Sequence, residues 1–146
     1  MPMIQLTAPR GSLTPEGRES VQGALAGVLL RWEGAPDTPF FRAQEWSYLN
    51  ELPEGAQTTA EDDAPRFLVN VTVPQGALSG RRKSGMVTEV TSVVLEAAGL
   101  SEADALRVWV LIHEQADGTW GAGGSVIRFA DLVALAQDAK SPKADA

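Results

Sequence analysis

The sequence predicts an α+β protein: a tandem β-α-β repeat whose strands form one four-stranded mixed sheet with two helices on one face. Two observations carry this. APRGSLTPEGRESVQGALAGVLLRWEGA can be laid on VPQGALSGRRKSGMVTEVTSVVLEAAGL at one constant offset, so that Pro9 meets Pro74, Gly11 meets Gly76, Leu13 meets Leu78 and Gly34 meets Gly99. Each copy is flanked by strand-like runs, MIQLT and FFRAQEWSYL around the first, RFLVNVTV and RVWVLIHEQ around the second. A strand, a long helix and a second strand imply a crossover with parallel pairing inside each unit.

MIQLT opens the first unit, preceded by Pro2. Proline lacks a backbone N–H and is tolerated at a strand's first position. A second role is open to it: methionine before a small residue is commonly removed, which leaves Pro2 with a free secondary amine. A terminal amine is one of the few groups that titrate near neutral pH unaided.

The helices follow from periodicity and caps. Val21, Leu25, Val28, Leu29 and Trp32 fall on Met86, Val90, Val93, Val94 and Ala97 in the second copy. The spacing i, i+4, i+7, i+8, i+11 is one face of an α-helix. Thr14 and Ser79 are N-caps, Pro15 suits the first helical position, and Gly34 and Gly99 can take the left-handed conformation that ends a helix. The outgoing strands run into the turns NELPEG and HEQADG.

These elements divide the chain into a first unit over 1–55, a small, polar, acidic linker over 56–64, a second unit over 65–138 with a C-terminal hairpin and short helix, and a disordered tail over 139–146. With helices on one face only, the other sheet face is bare. Trp46, Tyr48, Val69, Val71, Trp109 and Leu111 are expected on it, covered by a second copy of the chain.

Composition excludes several function classes. The 146 residues are 44% hydrophobic and 21% charged, enough for a folded domain or two small similar units sharing a core. A net charge of −7 argues against nucleic acid or an anionic membrane as partner. There is no cysteine, so thiol chemistry and disulfides are out, and with one histidine and no close acidic cluster no metal site is expected. No apolar run approaches a membrane span and no signal peptide opens the chain, so a cytoplasmic protein is expected.

A repeated β-α-β with proline directly after the initiator methionine resembles the tautomerase superfamily. The nearest pattern is 4-oxalocrotonate tautomerase and, more closely, its fused double-length relatives, which include cis-3-chloroacrylic acid dehalogenase and malonate semialdehyde decarboxylase. The specific matches are the proline in MPMIQL and DGTWGAGGSV, which looks like the family's glycine-rich G-x-[FW]-G-x-G-G stretch. The resemblance runs from residue 2 to about residue 135.

The resemblance implies a tautomerase (MIF-like) fold, a homotrimer in which three fused chains mimic the six-unit ring of the short relatives, and a cofactor-independent isomerase. It implies enol–keto tautomerisation of a small 2-oxo acid or unsaturated carbonyl compound, with Pro2 as general base. Pro65 opens the second copy as an amide and has no basicity. Burial and nearby arginines would hold the amine neutral, and an arginine would bind the substrate's carboxylate. The candidates are Arg107 and Arg42 at the start of the outgoing strands, Arg10 in the first loop and Arg128 after the hairpin. Arg42 and Arg107, as strand-end arginines, are equally ordinary surface residues. Trp120 lies where the family has an aromatic that dries the pocket, or packs in the core. Arg81, Arg82 and Lys83 read as a solvated first helical turn, and His113 as a structural or exposed histidine.

The chain departs from the fused relatives. Gln75 and Leu78 stand where two carboxylate-binding arginines are expected, Leu30 where the dehalogenase has a histidine, and Leu111 where it has a tyrosine. Hydratase, dehalogenase or decarboxylase activity is one alternative. A non-catalytic trimeric scaffold that binds a small ligand or a protein is the other.

Overall fold

The computed structural model describes residues 1–141. The first unit runs from β1 (Met3–Pro9) through α1 (Pro15–Glu33) and a short α2 (Pro39–Ala43) to β2 (Trp46–Leu52). The second runs from β3 (Phe67–Pro74) through α3 (Gly80–Ala97) and a 3₁₀ turn (Glu102–Arg107) to β4 (Val108–Gln115). A small hairpin, β5 (Gly121–Ala122) and β6 (Ser125–Val126), precedes α4 (Phe129–Lys140). The tail expected over 139–146 begins inside α4, and its residues 142–146 lie outside the described residues.

The sheet order is β2-β1-β3-β4. Each unit pairs its strands in parallel, Met3 opposite Trp46 in one and Phe67 opposite Val108 in the other. The units join through antiparallel β1 and β3, where Ile4 faces Val71 and Leu6 faces Val69. The repeat therefore folds as two copies with their strands reversed relative to each other.

Alternation builds the core. Ile4, Leu6, Ala8, Phe67, Val69, Val71 and Val73 point to one sheet face and pack on the buried stripes of α1 and α3, among them Leu25, Leu29, Met86 and Val90. Each of the larger side chains contributes about 1.5–3 kcal/mol through burial. Val69 and Val71 thus lie under the helices and not on the open face as expected. Their ladder partners Leu6 and Ile4 are core residues, and opposed residues share a face. The open face carries Trp46 (56% exposed), Tyr48, Trp109 (66% exposed) and Leu111.

The caps form as expected. Thr14 accepts from the Gly17 N–H at 2.9 Å, and Ser79 accepts from the Arg82 N–H at 3.2 Å. Gly34 closes α1 at φ 72°, and Gly99 follows α3 at φ 66°.

One segment folds differently. Phe40–Ala43, expected as the start of the outgoing strand, belongs to α2. Thr38 caps it by accepting from the Phe41 N–H, Pro39 takes the first helical position, and Phe41 is buried. Thr-Pro is a helix-start signal, and the strand begins only at Trp46. Arg42 therefore sits on a helical turn rather than at a strand's first residue. Among the described residues no helix is long and apolar enough to cross a membrane.

Candidate active site

Pro2 is buried at the mouth of β1, its carbonyl accepting from the Trp46 N–H at 3.4 Å. The chain terminus opens on a cavity of about 250 Å³ where the end of α1, the start of α3 and one side of α4 meet. Met1, Glu33, Phe41, Arg82, Phe129 and Leu132 are among its lining residues. The walls are mostly apolar, with the terminal amine, one cationic side chain, Arg82, and one carboxyl, Glu33.

Glu33, the last residue of α1, places Oε1 3.7 Å from the Met1 amine. Glu45, the last residue before β2, is buried and lies within hydrogen-bonding reach of Glu33. Oε2 of each is buried and receives no donor among the described residues. A carboxylate only accepts, so contact between the two needs a proton on one of them. Burial first, then the neighbouring Glu33 charge, pushes Glu45 up to about 9. Burial also raises Glu33, against the pull of the amine. Arg82 closes the other side, its Nη1 donating to the Glu33 carbonyl at 3.1 Å and so also capping the end of α1.

The structure separates the residues singled out in the sequence. Arg42 is at the Pro2 end but pairs with Asp37 at the surface. Arg107 and Arg10 are at the opposite end of the sheet. Met3 faces Thr72, while Arg107 precedes Val108, which faces Phe67; strand rise alone makes that about 17 Å. Arg107 is engaged there, Nε donating to the Pro65 carbonyl at 2.9 Å and Nη1 to Asp104 at 3.3 Å. With Arg66, Phe67 and Trp109 it lines a second cleft, of about 450 Å³. Within one chain neither Arg107 nor Arg10 reaches Pro2.

Trp120 is half-buried in the loop after β4, its carbonyl accepting from the Ile127 N–H at 2.8 Å. It does not line the cavity; the aromatic contributed there after the hairpin is Phe129. Arg128 lies over Gly118 and pairs with Asp117. Leu13 and Leu78 pack on the core, and His113 Nε2 bonds Asn70 Oδ1 at 2.8 Å on the open face. No group of three or more His, Asp or Glu side chains that could hold a metal gathers among the described residues.

Sequence alone missed Glu33, Glu45, Arg82 and Phe129. Glu33 sits directly before the capping Gly34, so its position at a helix end was available. That its carboxyl meets Glu45 depends on α2 turning the chain back, which the sequence reading did not contain.

Residues 68–130 match the protein family described as tautomerase enzyme. A search of curated proteins by sequence finds no match. Among solved structures, a fused 4-OT wild-type asymmetric trimer is 16% identical with a TM-score of 0.71, over 91% of this chain and 98% of that one. A member of the cis-3-chloroacrylic acid dehalogenase family is 20% identical with a TM-score of 0.69, over 94% and 97%. A macrophage migration inhibitory factor-like protein from Entamoeba histolytica is 12% identical with a TM-score of 0.67, over 86% and 98%. These likenesses cover both β-α-β units and show that the chain shares the fold of those proteins, and the match to the tautomerase enzyme family lies in the second unit.

Proposed function

We propose that this protein is a cytoplasmic, cofactor-independent tautomerase that interconverts enol and keto forms of a small 2-oxo acid or related unsaturated carbonyl compound, and that it works as a homotrimer. The observation that carries this is the amino terminus opening on a small, mostly apolar cavity with one cationic side chain, Arg82. Loss of Met1 would place the Pro2 secondary amine there, held still by β1 and by the bond from Trp46.

The neutral amine takes a proton from the substrate and returns it at the other end of the conjugated system. Arg82 is the cation of the same chain placed to hold a carboxylate and to stabilise the developing enolate. Arg42 is the next cation at this end, once released from Asp37. Arg107 and Arg10 can serve a Pro2 only across a subunit boundary. Phe41, Phe129 and Leu132 exclude water, which strengthens every charge interaction inside.

The trimer is supported by the apolar open face, which needs a cover, and by the likeness to a fused trimer. Three chains would close the assembly with point symmetry.

The test is an assay on phenylenolpyruvate beside the intact mass of the purified protein. Wild type should lack Met1 and be active. Pro2→Ala should fall by roughly 10²-fold, and Pro65→Ala should change little, because an amide nitrogen has no basicity to lose. Equal losses in the two variants, or full activity with Met1 attached, would refute this function.

A further inference from the structure

Among the described residues, neither Glu33 Oε2 nor Glu45 Oε2 receives a donor, and the Met1 amine lies 3.7 Å from Glu33 Oε1. A buried carboxyl pair is costly unless it is satisfied. Here Glu33 of the pair lies 3.7 Å from the Met1 amine, one residue from the amine credited with the chemistry.

We propose that Glu33 and Glu45 act as one proton-holding unit for the terminal amine, taking up the proton the amine gives off and so deciding whether Pro2 stands as a base. This rests on Pro2 being freed by loss of Met1, which moves the terminus one residue inward, within about 4 Å of the present amine.

Two carboxyls in contact in a buried site do not both ionise, so one proton stays between them. Around neutral pH the two carboxyls and the amine then share two protons. In one arrangement the amine is an ammonium facing a single negative charge. In the other the ammonium proton has crossed to the pair, leaving an amine and two carboxylic acids. Both hold the same protons, and the second carries no charge, which burial favours. The amine becomes a base without an arginine against it.

The charges around the pair fit this. From α3, the Arg82 guanidinium is occupied by the Glu33 carbonyl. From α4, Lys140 Nζ lies 3.5 Å from the Gly34 carbonyl. Between α1 and β2, Asp37 and Arg42 pair with each other at the surface. From β1 comes the terminus itself. None of the arginines or lysines bonds either carboxyl, so the amine is the one cation paired with the unit among the described residues.

The test is NMR titration of the processed protein, with 13C in the glutamate side-chain carboxyls and 15N in proline. In wild type one glutamate carboxyl should keep its proton past pH 7, and its titration should be mirrored at the Pro2 nitrogen. Glu45→Gln leaves Glu33 as a plain carboxylate partner; it should ionise in the ordinary range, and the Pro2 midpoint should rise by about one pH unit or more. Glu33→Gln with Glu45→Gln removes the negative charge, and the midpoint should drop below that of the single variant.

Both carboxyls ionised at pH 6 in wild type, or midpoints equal within about 0.3 units across all three proteins, would overturn the proposal. If the variants fail to fold, the wild-type titration alone decides. The readout needs no substrate, so it stands apart from the catalytic assignment, which fails separately if Pro2→Ala is fully active.

Discussion

Gly17 of α1 rests on the backbone of Ala97 in α3 with no room for a side chain: a Cβ built on Gly17 would fall 2.1 Å from the Ala97 carbonyl oxygen. The same contact brings the Thr14 N–H to that carbonyl at 2.9 Å, so the cap of one helix satisfies the end of the other. In the other direction Gly85 lets the Trp32 ring lie against α3, 2.2 Å from where its Cβ would be.

Gly17→Ala should therefore destabilise the protein, although alanine is the better helix former by about 1 kcal/mol. Overpacking against backbone that cannot rotate away should cost about 2–3 kcal/mol net. Thermal or urea denaturation measures it; a Tm at or above wild type would mean the helices can separate at no cost.

Arg82→Ala should lower kcat/KM on an enol-carboxylate substrate by roughly 10²-fold through loss of a charged contact. It should also cost about 1 kcal/mol of stability, because Arg82 donates to the last carbonyl of α1. Arg82→Lys should restore more activity than stability. Unchanged kinetics in Arg82→Ala would move anion binding to Arg42 or to a neighbouring subunit.

The buried pair makes stability depend on pH. Glu45 is pushed up to about 9, and Glu33 shifts in the same direction. In the unfolded chain both titrate near pH 4.3. The folded protein keeps a proton through the interval where the unfolded chain has lost it, so stability is full below about pH 4.3 and declines as the pH rises toward about 9. Glu45→Gln should remove most of that decline. Urea midpoints at mildly acidic and mildly alkaline pH give the slope, and equal slopes in the two proteins would contradict it.

Sedimentation should give three chains per particle. Trp109→Glu with Leu111→Glu should yield a folded monomer, since both side chains lie exposed on the open face and neither is in the core. A trimer that survives the double substitution would place the contact elsewhere.

The repeat, both long helices, their caps and the parallel pairing were legible because each is a local or periodic signal. Three things were not. Phe40 and Phe41 form an apolar run that mimics a strand, and the Thr-Pro before them carried the contrary signal. Val69 and Val71 fit an alternating pattern in either phase until β1 supplies partners. Arg82 reads as a solvated first helical turn unless it is known that the end of α1 comes to meet it. Pro2 was singled out from its position alone, whereas the carboxyl pair near it exists only once the chain folds back through α2.

Antiparallel pairing of β1 with β3 gives the molecule two poles. Pro2 occupies one, and the Ala64–Pro65 bond lies at the other, beside Arg66 and Arg107. A single cut at that bond would turn Pro65 into a secondary amine, facing two guanidinium groups in place of a carboxyl pair. Cationic neighbours favour a neutral amine, so the nicked pole would be the more basic-competent of the two at low pH. The strands from each fragment would still be held by the shared β1–β3 ladder. If the proposed role of Pro2 holds, the linker is where the number of reactive ends could be changed without touching the core.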